Sequence, residues 1–284
     1  MLRNAKDLHG FTIRATDGEL GTVDQLYFDD ETWAIRYLTV ATGGWLDDRL
    51  VLISPISVVD TDWQAKRLDV ALTKKQVENS PDINTHQPVS RQHEAAFNRY
   101  YGYPYYWGGP YLWGAGAYPA DMVLPPIALP LSALPPSVLP PSVLIDAVEE
   151  GRRSRSESTD SHLRSSEDVT GYSIEASDGE IGHVDGFVVD DEAWAIRYIE
   201  VATRNWWPGK KVLVSPAWIE RVSWADSKVY AGLSREAIQN AAEYVESMPI
   251  TREYENRLYF HYGRPPYWLH EAEDRVPVSL SGGR

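Results

Sequence analysis

The chain of 284 residues has no cysteine. Disulfide frameworks, thiolate zinc sites, iron–sulfur clusters and cysteine nucleophiles are therefore excluded. Positive charge is also short, 27 Lys and Arg against 41 Asp and Glu, for a net charge of -14. The deficit is shared: residues 1–108 hold 11 basic against 15 acidic side chains, and residues 161–268 hold 11 against 17. Acidity of this kind argues against binding a phosphate backbone or an anionic membrane surface, so no nucleic-acid partner is expected. The N-terminal MLRNAKDLHG lacks a basic start followed by an apolar stretch, which predicts no secretory leader and a cytoplasmic location. Met122 to Ile145 is the one long uncharged apolar run, and Pro125, Pro126, Pro130, Pro135, Pro136, Pro140 and Pro141 break it. A lipid-exposed helix could not stay hydrogen-bonded through those breaks, so no integral membrane segment is expected. The glycines form neither of the phosphate-cradling spacings, G-x-G-x-x-G or G-x-x-x-x-G-K-[ST].

What the chain does have is a repeat. Asp17-Gly18-Glu19 recurs as Asp178-Gly179-Glu180, and this offset of 161 runs without a gap from Leu2/Leu163 to Trp107/Trp268. Roughly four positions in ten are identical under it, enough to mark a duplication. The domain reading is a first copy at 1–108, a Pro-rich low-complexity linker at 109–160, a second copy at 161–268 and a disordered tail at 269–284.

Within a copy, short β-branched and aromatic runs alternate with turn chemistry, the pattern of an antiparallel sheet or barrel. The first copy predicts strands at Phe11 to Thr16, Gly21 to Phe28, Trp33 to Ala41, Arg49 to Ile53, Ile56 to Thr61 and Arg67 to Ala71. Thr73 and Ser234 are placed to cap a brief helix, and each copy ends in an aromatic, proline-bearing tail.

The offset also filters candidate chemistry, because a site used in both copies should keep its residues. No histidine does: His9 faces Thr170, His86 faces Ser247, His93 faces Tyr254, His183 faces Thr22 and His261 faces Tyr100. Carboxylates recur as Asp17, Glu19, Asp24, Asp29, Asp30 and Glu31 with Asp178, Glu180, Asp185, Asp190, Asp191 and Glu192. They fall where the strand pattern breaks, which suits turn-forming Asp better than the alternating D-x-D-x-D-G loop of a calcium site. Arg36 and Arg197 are expected to face outward or pair with an acid, and Arg91/Glu94 with Arg252/Glu255 have the spacing of a helix-surface ion pair. No catalytic, cofactor-binding or metal-ligating residue is assigned. The candidate partner-binding residues are those of the tails: Tyr100, Tyr101, Tyr103, Tyr105, Tyr106, Trp107, Tyr262, Tyr267 and Trp268. Tyr and Trp beside Pro either close the core of their own domain or meet a partner.

These residues together resemble the PRC-barrel family, known from the reaction-centre H subunit and from the C-terminal domain of a ribosome maturation factor. The resemblance rests on D-G-E-x-G-x-V-D at Asp17 to Asp24, Trp33 with Arg36-Tyr37, and the strand into Val51-Leu52-Ile53-Ser54-Pro55, with their counterparts in the second copy. It is nearest to bacterial stand-alone PRC-barrel proteins, in which P-[VI]-[ST]-R-x-x-E, here Pro88 to Glu94 and Pro249 to Glu255, precedes a tyrosine-rich end. It implies a mainly β fold of two small antiparallel barrels, each with a short C-terminal helix and an aromatic tail. It also implies a non-enzymatic scaffold or adaptor, without cofactor, that binds a protein partner or itself. Two alternatives stand beside that expectation: an H-subunit-like role in photosynthetic or membrane electron transfer, and a metal-binding module built on the turn carboxylates.

Overall fold

The computed structural model describes residues 1–81, 89, 91–123, 163–203 and 210–269. Most of the proline array, Pro88 and the residues after 269 lie outside that set. In the first repeat β2 (Thr12–Ala15), β3 (Gly18–Asp29), β4 (Ile35–Ala41), β5 (Leu50–Ile53), β6 (Val58–Asp62) and β7 (Arg67–Val70) lie in the order β5-β4-β3-β2-β7-β6. Neighbours are antiparallel except β2 and β7, which run parallel. The second repeat reproduces the order as β12-β11-β10-β9-β14-β13, from β9 (Ser173–Ala176), β10 (Gly179–Asp190), β11 (Ala195–Thr203), β12 (Lys211–Val214), β13 (Ile219–Ser223) and β14 (Lys228–Ala231). Two three-residue strands complete the sheets at seven each: β8 (Leu163–Ser165) pairs with β3, and β1 (Leu2–Asn4) pairs with β10. Among the described residues β5 and β6 are not hydrogen-bonded to each other, so the first sheet is open where a closed barrel was expected.

The residues are partitioned into two compact units that do not follow the repeat boundary. One holds Met1, Arg3–Val169 and Phe187–Arg197; the other holds Leu2, Thr170–Gly186 and the chain from Tyr198. The first unit therefore takes β8 and the turn between β10 and β11 from the second repeat.

Local chemistry explains the recurrence of several residues. The register between β2 and β3 slips by one at Leu20, since Ile13 faces Gly21 and Arg14 faces Glu19. The bulge turns Leu20 inward, where it is fully buried, and Ile181 occupies the matching bulge of β10. Gly21 follows the bulge at φ 150°, and a Cβ there would sit 2.0 Å from the carbonyl oxygen of Ala41; Gly182 meets the Ala202 carbonyl at 2.1 Å. Only glycine fits so close to backbone. Ser54 accepts from the Ile56 amide and Ser215 from the Ala217 amide. A 3-10 turn at Pro55–Ser57 thus occupies the start of the strand expected from Ile56, which begins instead at Val58.

Among the described residues five α-helices accompany the sheets: α1 (Lys74–Glu78), α2 (Arg91–Tyr101), α3 (Ser166–Val169), α4 (Arg235–Gln239) and α5 (Arg252–Tyr262). Thr73 and Gln76 form a reciprocal capping box at α1, and Ser234 caps α4. The eleven-residue α2 and α5 carry the R-x-x-E motifs, and each ends at a glycine of positive φ, Gly102 (72°) and Gly263 (61°). There the chain reverses, with the Tyr103 amide bonded to Asn98 O at 2.8 Å and the Arg264 amide to Tyr259 O at 3.1 Å. These reversals send the aromatic tails back toward the domain they came from.

Candidate functional site

Glu94 stands on α2 three residues beyond Arg91 and is only 1% exposed. Its carboxylate accepts from the Tyr106 hydroxyl, pairs with Arg91 at 3.2 Å, and lies 3.5 Å from the hydroxyl of Tyr37 on β4. Arg91 also donates to the Tyr106 oxygen at 2.8 Å and covers the Trp107 ring at 4.5 Å. One carboxylate thus ties a strand, a helix and a tail together. The second repeat builds the same clasp on Glu255. It accepts from the Tyr198 hydroxyl at 2.8 Å and the Tyr267 hydroxyl at 3.2 Å, and pairs with Arg252 at 2.9 Å. Arg252 covers Trp268 at 4.0 Å.

Burial sets the electrostatics. Loss of solvent pushes the Glu94 carboxyl up to about 7, the nearby arginines and the Tyr106 hydroxyl acting against the rise. Desolvation also drives the Tyr37 and Tyr106 hydroxyls well above their ordinary range, with the Glu94 charge adding to it. They remain proton donors to the carboxylate at any physiological pH. The R-x-x-E motif is therefore not a surface pair as its spacing suggested. The helix turns this face inward, and the tail closes over it.

Arg36, expected on the surface or beside an acid, is 2% exposed. It lies 3.8 Å from Asp29, donates to the Thr32 hydroxyl at 3.0 Å, and is held between Tyr106 at 3.7 Å and Trp113 at 4.8 Å. Arg197 pairs with Asp190 at 3.2 Å. Trp113 lies in the stretch read as linker, yet it is fully buried, and its indole N–H donates to the Ala193 carbonyl at 2.8 Å. Nothing marks it out in the sequence, because its setting is made by residues far along the chain.

The recurring aspartates at the turns have structural employment. Asp17 accepts from the Lys74 amide at 2.8 Å and Asp178 from the Arg235 amide at 2.7 Å, so each hairpin turn anchors the first amide of α1 or α4. Asp29 accepts from the amides of Glu31 and Thr32, and Asp190 from those of Glu192 and Ala193. Those turns carry Trp33 and Trp194 at φ 60° and 51°. Asp30 pairs with Arg164 at 2.9 Å, and Glu19 and Glu180 are exposed. Among the described residues one group of acids is close enough to share a cation: Asp185, Glu200 and Glu246. The Lys211 ammonium sits among them, 2.6 Å from Asp185, 4.0 Å from Glu200 and in contact with Glu246. The one ammonium offsets one of the three carboxylate charges and makes the contacts that a bound cation would need.

The tail residues pack within their own repeat. Tyr101 stacks on Tyr103 at 5.4 Å and tilts against Phe97 at 4.7 Å. Tyr105 stacks on the half-buried Trp107 at 4.6 Å, and Tyr106 meets Trp107 edge-on at 4.9 Å. Tyr100 is the most exposed of the first set and bonds the Gln76 carbonyl at 2.7 Å. In the second repeat Tyr262 is buried against Trp218 at 4.7 Å, while Tyr267 and Trp268 remain half-buried beside Tyr259.

The fold and these clasps define a tandem-repeat, mainly β protein in which two similar sheet-rich domains each fasten their own helix and aromatic tail. The PRC-barrel domain family model matches residues 2–77, in the first of them, and the second repeats its strand order. A search of curated proteins finds no match. Among the described residues no helix is long and apolar enough to cross a membrane.

Proposed function

We propose that the chain is a non-enzymatic tandem PRC-barrel scaffold or adaptor of the cytoplasm, serving protein–protein interaction or self-assembly. What carries this reading is the use made of the polar groups the repeats share. Asp17 and Asp178 anchor helices, Asp29 and Asp190 shape turns, and Glu94 and Glu255 hold tails. A pair of domains whose buried and turn-forming shared carboxylates serve architecture offers its surface to other molecules. The PRC-barrel match favours an interaction module, and each open sheet is, in this reading, the wall of a small barrel capped by its own tail.

The surface proposed for a partner is the outer side of the tails. Tyr105 and Trp107 form an adjoining half-buried aromatic pair, and Tyr100 at the end of α2 is exposed. Aromatic side chains held rigid by one face and open on the other are favoured at protein contacts. The test is affinity capture with the intact chain as bait, repeated with Tyr105→Ala/Trp107→Ala, alongside light scattering. A captured protein or self-associated species that weakens in the double variant is expected. A monomer that captures nothing would overturn the reading.

A further inference from the structure

We propose that the end of β3 at Tyr27–Asp29, which runs past its pairing with β2, is a docking site for the opening strand of a second PRC-type repeat. The second repeat is held there by non-covalent contacts that do not need the connecting chain. The proposal rests on the scaffold reading and names a partner for it, another repeat of the same kind.

The seated strand is β8. It runs antiparallel to β3, with Tyr27 facing Ser165, Phe28 facing Arg164 and Asp29 facing Leu163. This is strand addition to a sheet edge, in which backbone bonds supply affinity and alternate side chains supply specificity. Leu163 is 2% exposed and belongs to the first repeat's own core cluster, with Tyr27, Tyr37, Leu52, Val89 and Phe97. Arg164, pointing the other way, pairs with Asp30 at 2.9 Å. The Ser165 hydroxyl bonds the Gln25 side chain, and the Ser166 hydroxyl accepts from the Leu26 amide at 3.3 Å.

A second contact reinforces the strand within the same compact unit. The turn after β10 meets the turn after β3 as a mirrored pair: Ala34 bridges Ala195, the Ile35 amide bonds Trp194 O at 2.7 Å, and the Ile196 amide bonds Trp33 O at 2.8 Å. Phe187 lies 5.7 Å from Phe28, ring to ring. The partner this surface fits is defined by chemistry: an apolar residue, then a cation, then a small hydroxyl residue, followed downstream by a D-D-E-x-W turn able to hold a positive φ at its tryptophan.

The experiment keeps the whole chain. A protease recognition sequence is inserted between Pro140 and Pro141, the purified protein is cut to completion, and native mass spectrometry and gel filtration read the product. One species carrying both fragments is expected, separating only in denaturant. Leu163→Asp, which puts a charge into the Tyr27 and Phe97 cluster, should let the cut halves part, with circular dichroism of the uncut variant reporting on its fold. Arg164→Asp leaves the core alone and should weaken the cut pair about tenfold, and adding Asp30→Arg should restore it. Separation of the wild-type halves on cutting, or a charge swap that restores nothing, would overturn the proposal. Capture of outside proteins plays no part in this assay, so it can succeed where the scaffold reading fails, and the reverse.

Discussion

Glu94 binds its proton more tightly in the folded chain than in the unfolded one, because burial lifts its carboxyl from 4.5 to about 7. As pH rises across that interval the unfolded state sheds the proton first. The group's contribution to stability therefore declines between about 4.5 and about 7 and is level above. Urea denaturation at a series of pH values should show this slope, and Glu94→Gln should flatten it. Glu94→Ala is harsher, since it strands the Arg91 guanidinium and two hydroxyls, and should lower unfolding free energy by about 3–5 kcal/mol. A metal outcome is predicted at the same scale. Lys211 fills the space among Asp185, Glu200 and Glu246, so calorimetry with calcium should show no heat at that group until Lys211→Ala removes the ammonium. The turn aspartates were legible in the sequence because Asp bonds amides two or three residues away. Glu94 was not, because i, i+3 spacing is the same on an exposed helix face and on a covered one; what covers it is a tail twelve residues on.

Helices and strands divide in the same way between what is local and what is not. The cap at Thr73 and the hairpin at Asp17-Gly18 could be read directly, and the structure adds the bond that joins them, Asp17 to the Lys74 amide. Asp17→Ala should cost about 0.5–2 kcal/mol, Asp178→Ala a similar amount, and the pair should be close to additive by thermal denaturation. β1 and β8 escaped sequence reading: three residues show no periodicity, and the strand that β8 joins lies more than a hundred residues away. The Gly109–Val123 stretch escaped for a related reason. Its composition is that of a linker, but Trp113 and Met122 are buried. Trp113→Ala should destabilise by about 3–5 kcal/mol in a denaturant titration, where a residue in a solvated spacer would register almost nothing.

At the scale of the molecule, the first compact unit is assembled from both repeats, so damage in one should be felt in the other. Phe187→Ala removes a ring that meets Phe28, and amide exchange of Phe28 and Ile35 should accelerate although neither residue was altered. A purely local effect would confine the acceleration to the second repeat. The duplication was plain in the sequence, as was the mainly β character of each copy. The sharing of strands was not, because pairing is decided by edges that only the folded sheets possess.

The donated β8 strand has a practical consequence for dissecting the chain. A cut chosen from sequence similarity, after the first repeat, would remove Leu163 from a core and uncover the amides of β3, leaving a bare apolar edge prone to aggregate. A first domain meant to stand alone should carry residues 163–169 and 187–197 with it, rejoined through short artificial connectors. The sequence repeat and the compact unit differ by β8, α3 and the segment Phe187–Arg197.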